Sequence, residues 1–429
     1  MTRRRVVITG MGTVSPLGHD VETLWRGVLE GRSGISKTEL FDARTFPSTF
    51  SAQVKNFVAA DLVPHLADHR HAGRATQFAL AAAHQAWKQA GLDVNGGPDR
   101  GRVGIYMGCG EGSLDFDAFI GCLVDAWADG KLDTVRWAQL AWERMDLYRE
   151  LEQEANMVAS HLTSQYRVTG PVVNVLTACA ASTQALGEAT WLIRRGQADV
   201  MISGGSHSMI HPLGVTGFNR LTALSTRNDD VATASRPFDR TRDGFVLGEG
   251  ASVLILESLD RAKARGVTVL AEIIGFGSSA DAFRITDQDP DGAGAAAAMR
   301  MALADAGLTS ERIDYINAHG TGTSQNDSVE TKAVKSVLGA RAKACPISSV
   351  KSSLGHLIAA AGATELITCV LALRDRVLPP TANCHTPDPD CDLDYIPNTA
   401  RPAPDVTIVM SNSFGFGGQN NSIILRRFE

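Results

Sequence analysis

Residues 171–190 read PVVNVLTACAASTQALGEAT. A β-branched apolar run gives way to small residues around Cys179, and apolar residues at helical spacing follow, so the stretch predicts strand, tight turn and helix. A thiol in the first turn of a helix meets unpaired backbone N–H groups and the positive end of the macrodipole, which favour a thiolate. Cys179 is therefore a candidate nucleophile. Free cysteine is usually a small buried hydrophobe, and the turn taken alone favours that reading. Two further polar, glycine-rich turns weigh towards chemistry. YINAHGTGTSQND (315–327) carries His319 and ISSVKSSLGHLIAAAGATE (347–365) carries His356, each after a short apolar run. One cysteine and two histidines call for one site.

The whole chain has 429 residues, 44% of them hydrophobic, enough for a large core in two domain-sized units, 1–260 and 261–429. A net charge of -6 lacks the basic excess of a nucleic-acid binder, and no apolar run is long enough to span a membrane. The seven cysteines are odd in number and scattered, and MTRRRVVITGMG leads directly into a strand, so the expected setting is the cytoplasm with free thiols. NCHTPDPDCDLD (383–394) clusters Cys384, His385 and Cys391, but the spacing fits no zinc pattern and no metal site is expected.

Taken in order, the chain repeats itself. VVITGMGTVS at 6–15 is echoed by EIIGFGSSA at 272–280, and AWKQAGLD at 86–93 by ALADAGLT at 302–309. The Cys179 unit has its counterpart in the His356 unit. Two copies of one α/β half, with strands and helices alternating, predict buried sheets covered by helices and a site beyond the strand ends. The early Gly10-x-Gly12 is no dinucleotide fingerprint, since Ser-Pro follows where a helix should start. Leu40–Leu66 reads as surface excursions. Asp115–His161, charged and amphipathic, reads as a helical excursion at the surface or at a subunit contact.

These motifs together resemble the elongating type II β-ketoacyl-acyl carrier protein synthases of the thiolase-fold superfamily. The markers are TACAAS around Cys179, ALSTRND (223–229), SRPFDRTRDGFVLGEG (235–250), NAHGTGT (317–323), VKSSLGHLIAAAGA (350–363) and SNSFGFGGQNNS (411–422). The resemblance implies duplicated α/β halves in a layered α-β-α-β-α architecture and an acyltransferase. Its reaction would be the decarboxylative condensation of a Cys179-bound acyl group with a malonyl thioester. His319 and His356 would hold the enolate, and two histidines rather than His and Asn point to elongation. Lys351 and Glu365 would organise the site beside the histidines. The backbone at Cys179 and Phe416 would supply the oxyanion hole, with Phe416 as a gate and Phe414 beside it. Thr321 and Thr323 would bind the phosphopantetheine arm, which arrives on the carrier protein, so no cofactor of the enzyme's own is expected. Arg70 and Arg74 match carrier-docking positions, and a homodimer is implied.

Two departures stand out. Glu111 in GCGEGS occupies a position that usually lines the acyl pocket with a small or apolar residue, and the 115–161 excursion is long. A chain-length-determining partner subunit and a cysteine hydrolase are the competing readings. The intact Cys-His-His set argues against the first, and the hydrolase leaves Lys351, the second histidine and the threonines without a role.

Overall fold

The computed structural model describes residues 3–93, 97–112, 114–285 and 287–429. Ten strands form its main sheet: β1 (Val6–Val14), β2 (Val103–Cys109), β3 (Val172–Val175), β4 (Val200–His207), β5 (Gly250–Ser258), β6 (Ala271–Ala280), β7 (Tyr315–Asn317), β8 (Ile347–Ser348), β9 (Ile408–Phe414) and β10 (Gln419–Arg426). Their spatial order is β8-β7-β9-β10-β6-β1-β5-β4-β2-β3. Read outward from the centre, the two sets of five follow one pattern. β2 is parallel to β3 and β4, while β5 is antiparallel to β4 and β1; likewise β7 is parallel to β8 and β9, while β10 is antiparallel to β9 and β6. The sets join where Val6–Ile8 pairs antiparallel with Ala271–Ile273. The repeat seen in the sequence is thus a repeat of topology.

Helices cover and separate these sets. Helix α1 (Arg74–Gln89) packs on β1 and β5, and its counterpart, Ala293–Ala306, packs on β6 and β10. The helices that follow the two key turns, Ala181–Arg194 and Ala361–Asp375, pack on each other and on strands of both sets, forming the central layer. A helix enclosed on all sides must be apolar all round. Accordingly, every residue of 361–373 is buried. The two central helices touch closely because Gly362 has no side chain, since a Cβ there would stand 1.9 Å from Thr183 Oγ1. The thiolase-type layering expected from the motifs is the architecture found.

The excursion is helical, as expected. It runs through Phe116–Asp125, Thr134–Arg144 and Leu147–Leu151 before Met157–Tyr166 returns to the body beside α1. It closes a small core of Cys122, Ala126 and Leu140, yet leaves Trp142 91% exposed. Leu40–Leu66 departs from its reading as surface. Phe50, Ala52 and Val54 are buried, because Ala52 N–H donates to Leu247 O (2.8 Å) and Val54 N–H to Glu249 Oε1 (2.9 Å), drawing the segment under the glycine-rich turn at 244–250. Among the described residues, no helix is long and apolar enough to cross a membrane.

Candidate active site

The nucleophile turn is built by backbone strain. β3 ends, Ala178 takes φ +47°, and a single tight turn, Ala178–Ala180, leads into the helix at Ala181. A side chain in the left-handed region costs about 1–3 kcal/mol and persists only where its surroundings enforce it. Here Ala180 N–H donates to Thr177 O (3.0 Å), and Gly415 presses on the same carbonyl, where an added Cβ would lie at 2.8 Å. The second half repeats the device. Ile358 has φ +46°, the turn is Ile358–Ala360 and the helix starts at Ala361. The match puts Ala359 where the first half has Cys179, and His356 on the turn just ahead.

Each histidine is held by its backbone. His356 N–H donates to Val246 O (2.7 Å), and its carbonyl accepts from Gly248 N–H (2.9 Å). His319 and Gly320 N–H both donate to the carboxylate of Glu330, at 2.9 and 2.8 Å. Glu330 lies on the helix Ser324–Leu338 and is buried. The tautomers follow from the partners. Ile358 N–H can only donate, and it meets His356 Nδ1 at 3.2 Å, so the proton of the neutral ring sits on Nε2, which has no partner among the described residues. The Lys351 ammonium likewise donates to His319 Nδ1 (3.4 Å) and to His319 O (2.5 Å), leaving Nε2–H free to donate. Both rings are buried, with centroids 5.4 Å apart and nearly perpendicular. Burial, with the Lys351 charge adding to it, holds both well below the usual histidine pKa, so both are neutral donors.

Lys351 is itself closed off. Its ammonium pairs with Glu365, and each side chain is 2% exposed. Burial raises the Glu365 carboxyl and Lys351 opposes that rise. Burial likewise pushes Glu330 up to about 7, against the two backbone N–H bonds. The Cys179 thiol corrects an expectation. Burial pushes it up to about 11, outweighing Lys351 and the backbone N–H groups of Phe416 and Cys179 that point at the sulfur. The resting Cys179 side chain is a thiol, and the helix terminus only moderates the cost of ionising it. Those two N–H groups are the pair expected to form an oxyanion hole.

Ligand atoms of Cys179, His319 and His356 lie within 4.8 Å of one another. The three line a cavity of about 330 Å³ together with Thr321, Thr323, Phe245, Phe414 and Phe416. Thiolate and imidazole are zinc ligands. These residues do not suit a resident cation, however, because the thiol is protonated and the Lys351 ammonium abuts His319. Thr321 Oγ1 and Thr323 Oγ1 are hydrogen-bonded (3.0 Å), and Thr323 caps the helix that carries Glu330 by accepting from Asn326 N–H (3.2 Å). Phe414 is buried edge-on to His319, whereas Phe416 is half-buried at the cavity, followed by Gly417 and Gly418 at φ +87° and +79°.

Other expected residues stand apart. Arg74 is paired within the fold: its guanidinium is bidentate on the fully buried Glu249 carboxylate (2.6 and 2.9 Å) and donates to Val54 O (2.8 Å), with the side chain 34% exposed. Arg70 is exposed, with Nε on His71 Nε2 (2.9 Å). Glu111 is exposed and does not line the cavity of its own chain; its nearest electrostatic influence falls on His211. Sequence reasoning missed Glu330 and Phe245, the latter edge-on to His356 at 5.2 Å.

The comparisons agree with this geometry. Residues 3–262 match the β-ketoacyl synthase N-terminal domain and residues 270–385 its C-terminal domain. A 3-oxoacyl-[acyl-carrier-protein] synthase 2 of Coxiella burnetii is 42% identical over 427 residues, covering 100% of this chain and 99% of that protein. Among solved structures, the ishigamide ketosynthase/chain length factor is 36% identical with a TM-score of 0.88, and a type II polyketide ketosynthase in complex with its acyl carrier protein is 35% identical with a TM-score of 0.87; each covers 100% of both chains. A strained cysteine turn facing two neutral histidines, on a duplicated thiolase-type fold, defines a condensing enzyme. The chain belongs to the β-ketoacyl synthase family.

Proposed function

We propose that the protein condenses an acyl group held on Cys179 with malonyl-acyl carrier protein, giving CO2 and β-ketoacyl-acyl carrier protein in fatty-acid or polyketide biosynthesis. The observation that carries this reading is the tautomer pair: two neutral imidazoles, each with Nε2–H free, beside a thiol flanked by two backbone N–H groups. In the first half-reaction Cys179 sulfur bonds the acyl carbon, the carrier's carbon–sulfur bond breaks, and the thiol proton ends on the departing pantetheine sulfur. The oxyanion of that step meets the N–H groups of Cys179 and Phe416. In the second, the malonyl carbon–carboxylate bond breaks, and its electrons pass into an enolate whose oxygen accepts from His319 and His356 Nε2–H. The enolate carbon attacks the Cys179 thioester, and the expelled thiolate takes up a proton. Thr321 and Thr323, at the cavity wall, suit the pantetheine arm, so the enzyme needs no prosthetic group of its own.

The acyl and malonyl thioesters are borne by an acyl carrier protein, with Arg70 as a docking cation. The working unit is a cytoplasmic homodimer of chains with halves 1–260 and 261–429, and Glu111 would face the acyl pocket of the second copy. The open edge at β3 supports pairing: Val172 and Val173 are exposed on the last strand of the sheet, and Leu176 just beyond it. The decisive experiment is mass spectrometry of the protein mixed with acyl carrier protein thioesters. A persistent acyl adduct on Cys179 that malonyl carrier discharges to β-ketoacyl product is expected. Rapid release of free acid, or no adduct, would refute the reading in favour of hydrolysis or a partner subunit.

A further inference from the structure

The end of β4 and the residue after it, Ser206 to Ser208, present three polar side chains, and they are served unequally. Ser206 Oγ donates to Ala75 O (2.6 Å), and Ser208 Oγ donates to Glu249 Oε2 (2.7 Å), whose carboxylate is otherwise filled by Arg74 and Val54 N–H. His207 lies between them, 2% exposed, with no hydrogen-bond partner at either ring nitrogen among the described residues. A neutral imidazole carries one donor and one acceptor, and leaving both unmet in an interior forfeits what water supplied. Protonation offers no relief, since burial pushes the ring's pKa down to about 3, with His211 adding to the effect.

The surroundings say what the ring faces. Gly110, just beyond β2, lies so close that a Cβ there would stand 2.3 Å from His207 Nδ1, and the next residue is Glu111. Three residues after His207, Ile210 enters the apolar cluster that contains Cys179, Phe245 and Ile358. His207 is also near enough to His356 that charge on one opposes charge on the other. The ring thus lies against Gly110 and close to His356, with one donor and one acceptor uncommitted among the described residues.

We propose that His207 determines acyl specificity, selecting for Cys179 those chains that carry a keto or hydroxyl oxygen over saturated chains of equal length. This rests on the condensing reading above. A keto or hydroxyl oxygen can engage the ring at Nε2, since Nδ1 faces Gly110, whereas a saturated chain seals that nitrogen against methylene groups. A site built to hydrogen-bond a substrate oxygen discriminates strongly against the analogue without it, while an apolar pocket rejects an added oxygen only weakly.

The test measures acylation of Cys179 in the full-length protein by intact mass, with octanoyl-pantetheine and its oxo and hydroxy derivatives substituted at successive carbons. At least one derivative should load about tenfold faster than octanoyl in the wild type. His207→Phe should erase that advantage, and His207→Gln, which keeps a donor and an acceptor, should retain part of it. Equal loading of all chains by the wild type, a comparison that needs no variant, overturns the proposal; so does a preference that survives His207→Phe. Failure of every chain to load would instead overturn the condensing reading, and this inference with it.

Discussion

Lys351→Met separates what Lys351 does for folding from what it does for chemistry. Among the described residues, the change removes the only cation paired with Glu365 at 2% exposure, so a buried carboxylate is left uncompensated, a loss worth about 3–5 kcal/mol. It also removes the donor that holds His319 Nδ1 as an acceptor, freeing the proton to leave Nε2. Losing one donor to a developing oxyanion costs roughly 100-fold or more in rate. The stability deficit depends on pH with a definite sign. Burial raises the Glu365 carboxyl, and without Lys351 nothing opposes that rise, so the folded variant holds a proton that the unfolded chain has released. Its stability relative to wild type should therefore fall as pH rises above the ordinary carboxylate range. The double variant Lys351→Met/Glu365→Leu removes both charges and should recover most of the lost stability, yet decarboxylate malonyl carrier as slowly as the single variant. Urea denaturation at two pH values and CO2 release from malonyl carrier read the two effects. If the double variant regains decarboxylation along with stability, the tautomer argument is wrong.

Cys179 should alkylate slowly with iodoacetamide at neutral pH and gain about tenfold per pH unit until near its thiol pKa of about 11; a plateau below pH 8 would contradict a protonated resting thiol. Glu330, raised to about 7 by burial, keeps a proton between roughly pH 4.5 and 7 that the unfolded chain has lost, so wild-type stability should decline across that window by on the order of 3 kcal/mol. Glu330→Gln should flatten that slope in pH-dependent denaturation. Val173→Lys places a charge on the open edge of the sheet and should shift sedimentation from dimer to monomer, whereas an unchanged dimer would move the interface away from β3.

Much of this site was legible because its parts are local. A β-branched run, small residues and a helical period around Cys179 are enough to require strand, turn and helix, and the same pattern around His356 exposes the duplication. What stayed hidden depends on distant partners. Arg74 looks like a free surface cation until the structure sets it against Glu249, 175 residues on and fully buried. Glu330 carries no motif. It reaches the His319 turn only because its helix is capped at Thr323 in a register that aims one carboxylate at two backbone N–H groups. The strain at Ala178 and Ile358 was equally invisible, since neither alanine nor isoleucine advertises a positive φ.

The thiol shows why the hidden part matters for mechanism. A helix start argues for a thiolate, and that argument holds as far as it goes: Lys351 and two backbone N–H groups do lower the pKa. Burial is stronger, and burial depth cannot be read from twenty residues. The resulting site is nearly free of uncompensated charge, with a protonated thiol, two neutral imidazoles and one closed ion pair. Anionic charge is then strongest at the moment a thioester oxygen acquires it, and the donors aimed at that oxygen have no resident anion to satisfy first. Preorganised dipoles in a buried, neutral site favour the transition state over the resting state, and neutral histidines are better placed for that task than imidazolium ions, which would attract a malonyl carboxylate and hold it in place.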